Sequence, residues 1–155
     1  MYRTLFFSLS REDSTAPFIL EDSVSTSGRF EFLQACLNDT ATFTSDERQQ
    51  IQAWAAHPPF KIWTNDLVPG ARLIPKDTIR SVFSKEQENG WGYFYSHFGK
   101  DFNRLGCPLF LRNYSWCIFY SGNHCGWLCG SGQLALYRKE GSHWVFVKNW
   151  GSWVS

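Results

Sequence analysis

The sequence predicts a single α+β domain over residues 1–155, with helices in the N-terminal two-thirds packed on a C-terminal antiparallel β-meander of about four strands. Three observations carry this prediction. The length of 155 residues suits one domain. Apolar residues within 29–98 recur at the three- and four-residue spacing of helix faces. After Cys107 the apolar runs become short, and turn residues separate them.

Two helices are predicted in the first part of the chain. Apolar residues at i, i+3 and i+7 predict a helix over 29–38. A second helix begins at Thr44, whose side chain can accept from the N–H of Glu47 while the Glu47 side chain reaches back, which is a capping box. This helix ends before Pro58, because the residue preceding a proline avoids the α conformation.

Two further helices are predicted before the meander. Asp77 is suited to cap a short helix that carries Ile79 and Val82 on its inner face. Aromatic residues repeat at helical spacing over 90–98, which predicts a fourth helix. Gly99 is a suitable residue to end it.

Short apolar runs predict three strands before the meander and four within it, at 17–20, 60–63, 71–74, 108–111, 114–121, 133–139 and 143–148. Along the last strand Trp144 and Phe146 share one face, and Val145 and Val147 share the other. We therefore expect the helices to cover one face of the sheet. We expect the N-terminal segment, another protomer or a ligand to cover part of the second face.

Composition and charge narrow the class of partner. The net charge is +1 and no Lys/Arg cluster is longer than Arg138-Lys139, which argues against nucleic acid, because such proteins carry a basic stripe. No apolar run approaches the roughly 20 residues of a membrane span. Aromatic content is 18%, with eight Trp and fourteen Phe. Such rings fill cores and are also frequent at interfaces, so their excess fits a homodimer.

The five cysteines stand at positions 36, 107, 117, 125 and 129. In an exported protein this odd number predicts two disulfides and one free thiol, whereas in a cytosolic protein it predicts buried thiols or a metal site. Cys36 and Cys117 stand in apolar runs, where cysteine behaves as a small buried hydrophobic residue.

The stretch 124–132 is the most specific feature of the sequence. Two cysteines stand four apart among three glycines, and apolar runs flank the stretch on both sides. This pattern predicts a β-hairpin whose connection is longer than a two-residue turn and is pinned by a disulfide between Cys125 and Cys129. Glycines that adopt positive φ and expose backbone N–H groups would make the connection a binding loop. The predicted binding residues are His124, Gly126, Trp127, Gly130 and Gly132.

Zinc binding and thiol chemistry are alternative uses of this stretch. Structural zinc sites favour cysteines two to four residues apart, so Cys125, Cys129 and His124 are candidate ligands. Cys117 or His143 would be the fourth, although no second Cys/His pair has ligand spacing. Thiol chemistry requires a depressed thiol pKa, but no Cys-x-x-Cys motif is present and no predicted helix follows the loop to lower it.

The C-terminal third contains a Pro-Leu-Phe strand, a Cys-Ile-Phe-Tyr strand, a Cys-Gly-x-Leu-Cys-Gly-x-Gly loop, the run Leu-Ala-Leu-Tyr-Arg-Lys-Glu-Gly and a Trp-containing last strand. With these segments, residues 104–155 resemble a group of small uncharacterised proteins of Bacteroidetes-type bacteria. The resemblance implies an exported, periplasmic or extracellular protein, and it carries no known activity. The final hairpin also resembles the closing strands of nuclear-transport-factor-2-like proteins, whose cone encloses a pocket.

An enzyme is the competing function from another class. A pocket between helices and sheet, either hydrolase-type or like that of the nuclear-transport-factor-2 group, would use His97, His124 or His143 as its acid–base group. The sequence lacks the Gly-x-Ser-x-Gly elbow of one large hydrolase class, so no catalytic residue is assigned. We therefore expect a non-enzymatic binding module, without cofactor or metal, whose partner is a protein or a small molecule.

Overall fold

The fold is α+β, built from four helices and one seven-stranded sheet in the part of the chain that the structure describes. The structure is a computed structural model, and it describes residues 17–25, 30–84 and 89–155. The elements follow in the order β1 (Ile19–Glu21), α1 (Phe30–Leu37), α2 (Ser45–Ala56), β2 (Arg72–Ile74), α3 (Lys76–Val82), α4 (Gly90–His97), β3 (Phe102–Leu105), β4 (Leu109–Leu111), β5 (Trp116–Gly126), β6 (Cys129–Glu140) and β7 (His143–Val154).

The sheet is mostly antiparallel. Its strand order is β2-β1-β3-β5-β6-β7, and β4 pairs with β5. The predicted meander is present as β4 to β7, but the count of about four strands was too low for the whole sheet. Two of the additional strands, β1 and β2, pair in parallel, and β1 also pairs in parallel with β3. Within the described residues no helix has the combination of length and apolar character needed to cross a membrane.

The predicted helices are largely confirmed. α1 matches the predicted 29–38, of which residue 29 lies outside the described residues. The capping box at α2 is present, since Thr44 Oγ1 accepts from the N–H of Glu47 at 3.2 Å and Glu47 Oε2 accepts from the N–H of Thr44 at 3.0 Å. α4 begins and ends within one residue of its predicted bounds.

Two local predictions were wrong. Asp77 lies inside the first turn of α3 and does not cap it, because the helix starts directly after Pro75, whose side chain makes no capping bond. The run 60–63 is not a strand, and its one β-bridge joins Ile62 to Ser23. Trp63 of this run is instead buried in the core, where its Nε1 donates to the carbonyl oxygen of Leu105 at 3.2 Å.

The helices cover one face of the sheet, as predicted. Side chains of α1 and α2 pack against β5 and β6 in one cluster, and side chains of α3 and α4 pack around Ile19 and Phe102 in another. The connection 57–71 covers half of the opposite face through Trp63 and Val68. Burial of these large apolar side chains, at about 25 cal/mol per Å² removed from water, is the main stabilising contribution.

The last strand is less covered than predicted. Trp144 is buried and Phe146 contacts Tyr137 on the same face, with ring centroids 6.2 Å apart. However, Phe146, Val145 and Val147 are all exposed. β7 is the edge of the sheet, so these side chains have packing partners on one side alone.

Candidate functional site

The tip of the β5–β6 hairpin is the site that the sequence singled out. The predicted connection was too long, because the ladder continues to the pair Gly126–Cys129 and leaves Trp127 and Leu128 as a two-residue turn. The predicted ends of both strands stopped short for the same reason. Small residues in both strands pair across the ladder, which keeps turn-forming residues in an extended conformation.

The disulfide is confirmed. Cys125 and Cys129 are bonded across the base of the turn, with their Cα atoms 5.1 Å apart, within the range that a disulfide spans without moving the backbone. Cys125 lies at a register shift between His124 and Gly126, which turns its side chain toward the opposite strand. The tip is therefore a small covalent ring closed by a two-residue turn.

A second contact fixes the tip to the helical layer. The hydroxyl of Tyr95, on α4, donates to the carbonyl oxygen of Cys125 at 2.7 Å. The hydroxyl oxygen of Tyr95 would lie 3.0 Å from a Cβ on Gly126, so a side chain at position 126 would displace the tyrosine. Gly126 is thus the residue that lets α4 approach the hairpin.

The prediction that the glycines of the tip adopt positive φ was wrong. Among the described residues, glycines with positive φ are Gly70, Gly99 and Gly141, and none of these is at the tip. Gly130 and Gly132 lie in β6, where the indole of Trp153 covers them. A Cβ on Gly132 would lie 2.7 Å from Trp153 Cε2, and one on Gly130 would lie 3.1 Å from Trp153 Cζ3. These two glycines make room for the indole ring of Trp153.

His124 lies in the aromatic row beneath the tip, on the helical face. Its ring centroid is 5.0 Å from that of Phe102 and 5.1 Å from that of Trp153. Burial, reinforced by the positive charge of Arg104 and opposed by Glu21, lowers the pKa of His124 from 6.5 to about 4. The imidazole is therefore neutral near pH 7 and packs as an aromatic ring.

The two residues of the turn are the most exposed apolar side chains of the hairpin. Trp127 is 74% exposed and Leu128 is 90% exposed. No Asp, Glu, Lys or Arg occurs between Asn113 and Tyr137, so the parts of both hairpin arms nearest the turn carry no charged side chain. A rigid, uncharged turn thus presents an indole and an isobutyl group to solvent.

The residues proposed as zinc ligands at the tip are not arranged as a ligand set in this structure. The sulfurs of Cys125 and Cys129 are bonded to each other. Cys117 is fully buried in the core, and His143 pairs with Glu140 at the other end of the hairpin ladder. No group of three or more His, Cys, Asp or Glu side chains suited to a metal occurs in residues 17–25, 30–84 and 89–155.

The other three thiols are structural. The structure has one disulfide instead of the two that an exported chain was expected to have, and Cys36, Cys107 and Cys117 are free and buried. Burial raises the pKa of Cys36 to about 12 and that of Cys107 to about 11, so both are thiols rather than thiolates. The interpretation of Cys36 and Cys117 as small buried hydrophobic residues is confirmed.

The histidines proposed as alternative acid–base groups lie in three different elements, and His124 and His143 are far apart. His97 ends α4, where its ring stacks on Tyr93 with centroids 3.9 Å apart. His124 pairs with Gly130 and His143 pairs with Glu140, so about 30 Å of strand separates these two histidines at 3.3 Å per residue.

A second feature, a polar depression on the sheet, was missed by sequence reasoning. It lies on the face away from the helices and has a cavity volume of about 320 Å³. Side chains from β3, β5, β6 and β7 line it, and Phe18 forms one wall. The signal in the sequence was the alternation of Ser and Asn in β5 and of Ser and Gln in β6, but the shared face becomes evident only once the register is known.

Comparison of the chain with protein-family models, with curated proteins and with solved structures found no match.

Proposed function

We propose that this protein is a non-enzymatic binding module that inserts its hairpin tip into an apolar pocket of a partner protein. The observation that carries the proposal is the exposure of Trp127 and Leu128, 74% and 90%, on a turn held by a disulfide and by the Tyr95 hydroxyl. Tryptophan is among the residues most enriched at the energetic centres of interfaces, since it buries a large area with few rotatable bonds.

Rigidity supports the same proposal. A tip that is ordered before binding loses less conformational entropy when it docks, so more of its contact energy remains as affinity. The disulfide fixes the backbone of the turn, and the Tyr95 contact fixes its orientation relative to α4. The remaining freedom is confined to the side-chain torsions of Trp127 and Leu128.

The absence of Asp, Glu, Lys and Arg from residues 114–136 around the turn favours an apolar pocket as the complement. An anionic membrane would attract lysine and arginine near the surface, and none occurs from 113 to 137. A charged protein surface would likewise lose hydration on meeting Trp127 and Leu128 without gaining an ion pair. A protein pocket lined by apolar side chains would bury the side chains of both turn residues without leaving a charge unpaired.

The test begins by identifying the partner with a photoreactive amino acid at position 128 in the full chain. The matched control carries the same amino acid at Val145, which is also exposed but lies near the opposite end of the β6–β7 ladder. We expect one cross-linked protein that is specific to position 128 and is competed by the unlabelled chain. Absence of such a product would contradict the proposal.

Affinity for the purified partner then tests the mechanism. Trp127→Ala and Leu128→Ala are each expected to weaken binding at least about tenfold, which corresponds to about 1.4 kcal/mol. Val147→Ala, which removes an exposed apolar side chain elsewhere, is expected to leave affinity unchanged. Equal affinities for all three variants would overturn the proposal, and so would tip-dependent binding to phosphatidylcholine vesicles in place of a protein.

A further inference from the structure

We infer that the polar depression on the sheet is a binding site for a neutral, hydroxyl-rich small molecule of the saccharide class. The depression opens on the sheet face away from the helices, and its lining includes Trp153 but neither Trp127 nor Leu128 of the turn. It therefore constitutes a second surface, and the inference does not depend on the proposed role of the tip.

The position of the depression follows from incomplete cover of one sheet face. The connection 57–71 packs over the half of this face that contains Phe119 and Tyr137. The half nearer the tip is left open, and Phe18, Leu105 and Val154 border it. A cavity of about 320 Å³ results, near the lower limit of about 300 Å³ for small-molecule sites, which suits one or two sugar rings.

Its floor is polar but uncharged. Alternate residues of four neighbouring strands point to the same face because they are paired in register. The polar residues that line the cavity are Asn103, Ser121, Asn123, Ser131, Gln133 and Ser152. No Lys, Arg, Asp or Glu lines it among the described residues, so a charged ligand would lose hydration without meeting an opposite charge.

The two asparagines are oriented by contacts beneath and beside the cavity. Asn103 Nδ2 donates to the carbonyl oxygen of Ile19 at 3.0 Å. Asn123 Nδ2 donates to Asp101 Oδ2 and to Asn103 Oδ1, each at 3.1 Å. The donors of Asn123 are thus directed at fixed acceptors, and its Oδ1 has the orientation of an acceptor available to a ligand.

Three hydroxyl groups complete the site. Ser121, Ser131 and Ser152 make no side-chain hydrogen bond within the described part of the chain and line the cavity together. Each hydroxyl can both donate and accept, as can each hydroxyl of a sugar. An apolar ligand would cover these hydroxyl groups without giving them hydrogen-bond partners, which disfavours its binding.

The apolar residues at the border of the cavity provide the apolar wall that a sugar ring also needs. A pyranose ring has polar edges and C–H faces, so a site for it needs hydrogen-bonding groups beside an apolar wall. Phe18 and Val154 stand on opposite sides of the polar floor, since one precedes β1 and the other ends β7. The amide and hydroxyl groups of the floor can therefore bind the polar edges of the ring, while the apolar walls contact its C–H faces.

The experiment is an NMR titration of the full ¹⁵N-labelled chain. The probes are glucose, galactose, mannose and N-acetylglucosamine, together with the disaccharide of each, at up to about 50 mM, which detects dissociation constants in the millimolar range. We expect saturable shifts of groove amides with at least one probe. No saturable shift with any of them would overturn the inference, and so would stronger saturable binding of acetate or inorganic phosphate in the groove.

Matched variants locate the binding. Ser131→Leu and Ser152→Leu fill the cavity from two different strands, and both positions are exposed, so neither substitution disturbs the core. Ser142→Leu makes the same chemical change in the distant β6–β7 turn. We expect at least a tenfold loss of affinity in either groove variant and none in the turn variant. Unchanged affinity in both groove variants would overturn the assignment.

Discussion

The hydroxyl of Tyr95 donates a 2.7 Å hydrogen bond to the carbonyl oxygen of Cys125, and this bond joins helix α4 to the tip of a hairpin that follows thirty residues later. The carbonyl lies at the register shift of β5, where the regular ladder is interrupted. The tyrosine therefore supplies a side-chain donor to a backbone acceptor at this irregular position, and it holds the disulfide ring against the helical layer.

Tyr95→Phe is expected to loosen the tip. The variant loses a hydrogen bond worth about 1 kcal/mol but keeps the ring that packs on Trp91, 5.6 Å away between centroids. Hydrogen exchange of the amides from 125 to 129 is expected to accelerate about fivefold. Tyr93→Phe is the control, since its hydroxyl has no partner in the described residues. Equal exchange in both variants would show that the contact does not hold the tip.

The disulfide is expected to contribute about 2 kcal/mol, the loop-entropy value for a ring of this size. The Cys125→Ser/Cys129→Ser variant should lose this amount in urea unfolding, and reduced wild-type protein should behave like the variant. Alkylation of the unfolded chain should modify three cysteines before reduction and five afterwards. Five modified residues before reduction would contradict the bond.

Gly132→Ala is expected to destabilise the fold by about 1–3 kcal/mol, because the new methyl group would overlap the Trp153 indole. A double-mutant cycle checks the cause. In a Trp153→Leu background the ring is absent, so the same alanine should cost much less. An equal cost in both backgrounds would place the effect in the strand backbone instead.

His124 is expected to make stability fall as the pH is lowered. Its pKa is lowered from 6.5 to about 4 in the folded state, so below about pH 6.5 the unfolded chain binds a proton that the folded chain does not. The free energy of unfolding should decline from pH 6.5 and level off, for this group, below about pH 4. Arg104 on β3 lowers this pKa further and Glu21 on β1 raises it.

His124→Phe tests that assignment, because it keeps an aromatic ring between Phe102 and Trp153 and removes the titrating group. Urea unfolding of this variant should be nearly independent of pH between 6.5 and 5. NMR titration of the wild-type imidazole should give a pKa far below 6.5. An ordinary value near 6.5 would mean that water reaches the ring.

Sequence features within a few residues of one another were sufficient to predict the helices and the disulfide. The capping box of Thr44 and Glu47 is complete within four residues, and the Cys125–Cys129 spacing limits the connection that those residues can make. Such features depend on neighbours in the chain. They can therefore be derived before any long-range contact is known.

Pairing between distant segments was not predictable in the same way. β1 has three residues, and its partners lie some fifty residues away in β2 and some eighty in β3. β3 contains Asn103 and Arg104 in its centre, so it lacks the apolar alternation of a strand. In β5, turn-forming residues such as Gly122 and Asn123 remain extended because β6 pairs with them. Tertiary context decides each of these cases.

The parallel pairing of β1 also determines the order in which this fold can be completed during synthesis on the ribosome. Ile19 cannot meet Arg72, nor Leu20 meet Asn103, until those later residues have emerged. The hairpins of β5, β6 and β7 join neighbours in the chain and need no such delay. β1, the first strand in the part of the chain that the structure describes, can therefore take its place between β2 and β3 only late in synthesis.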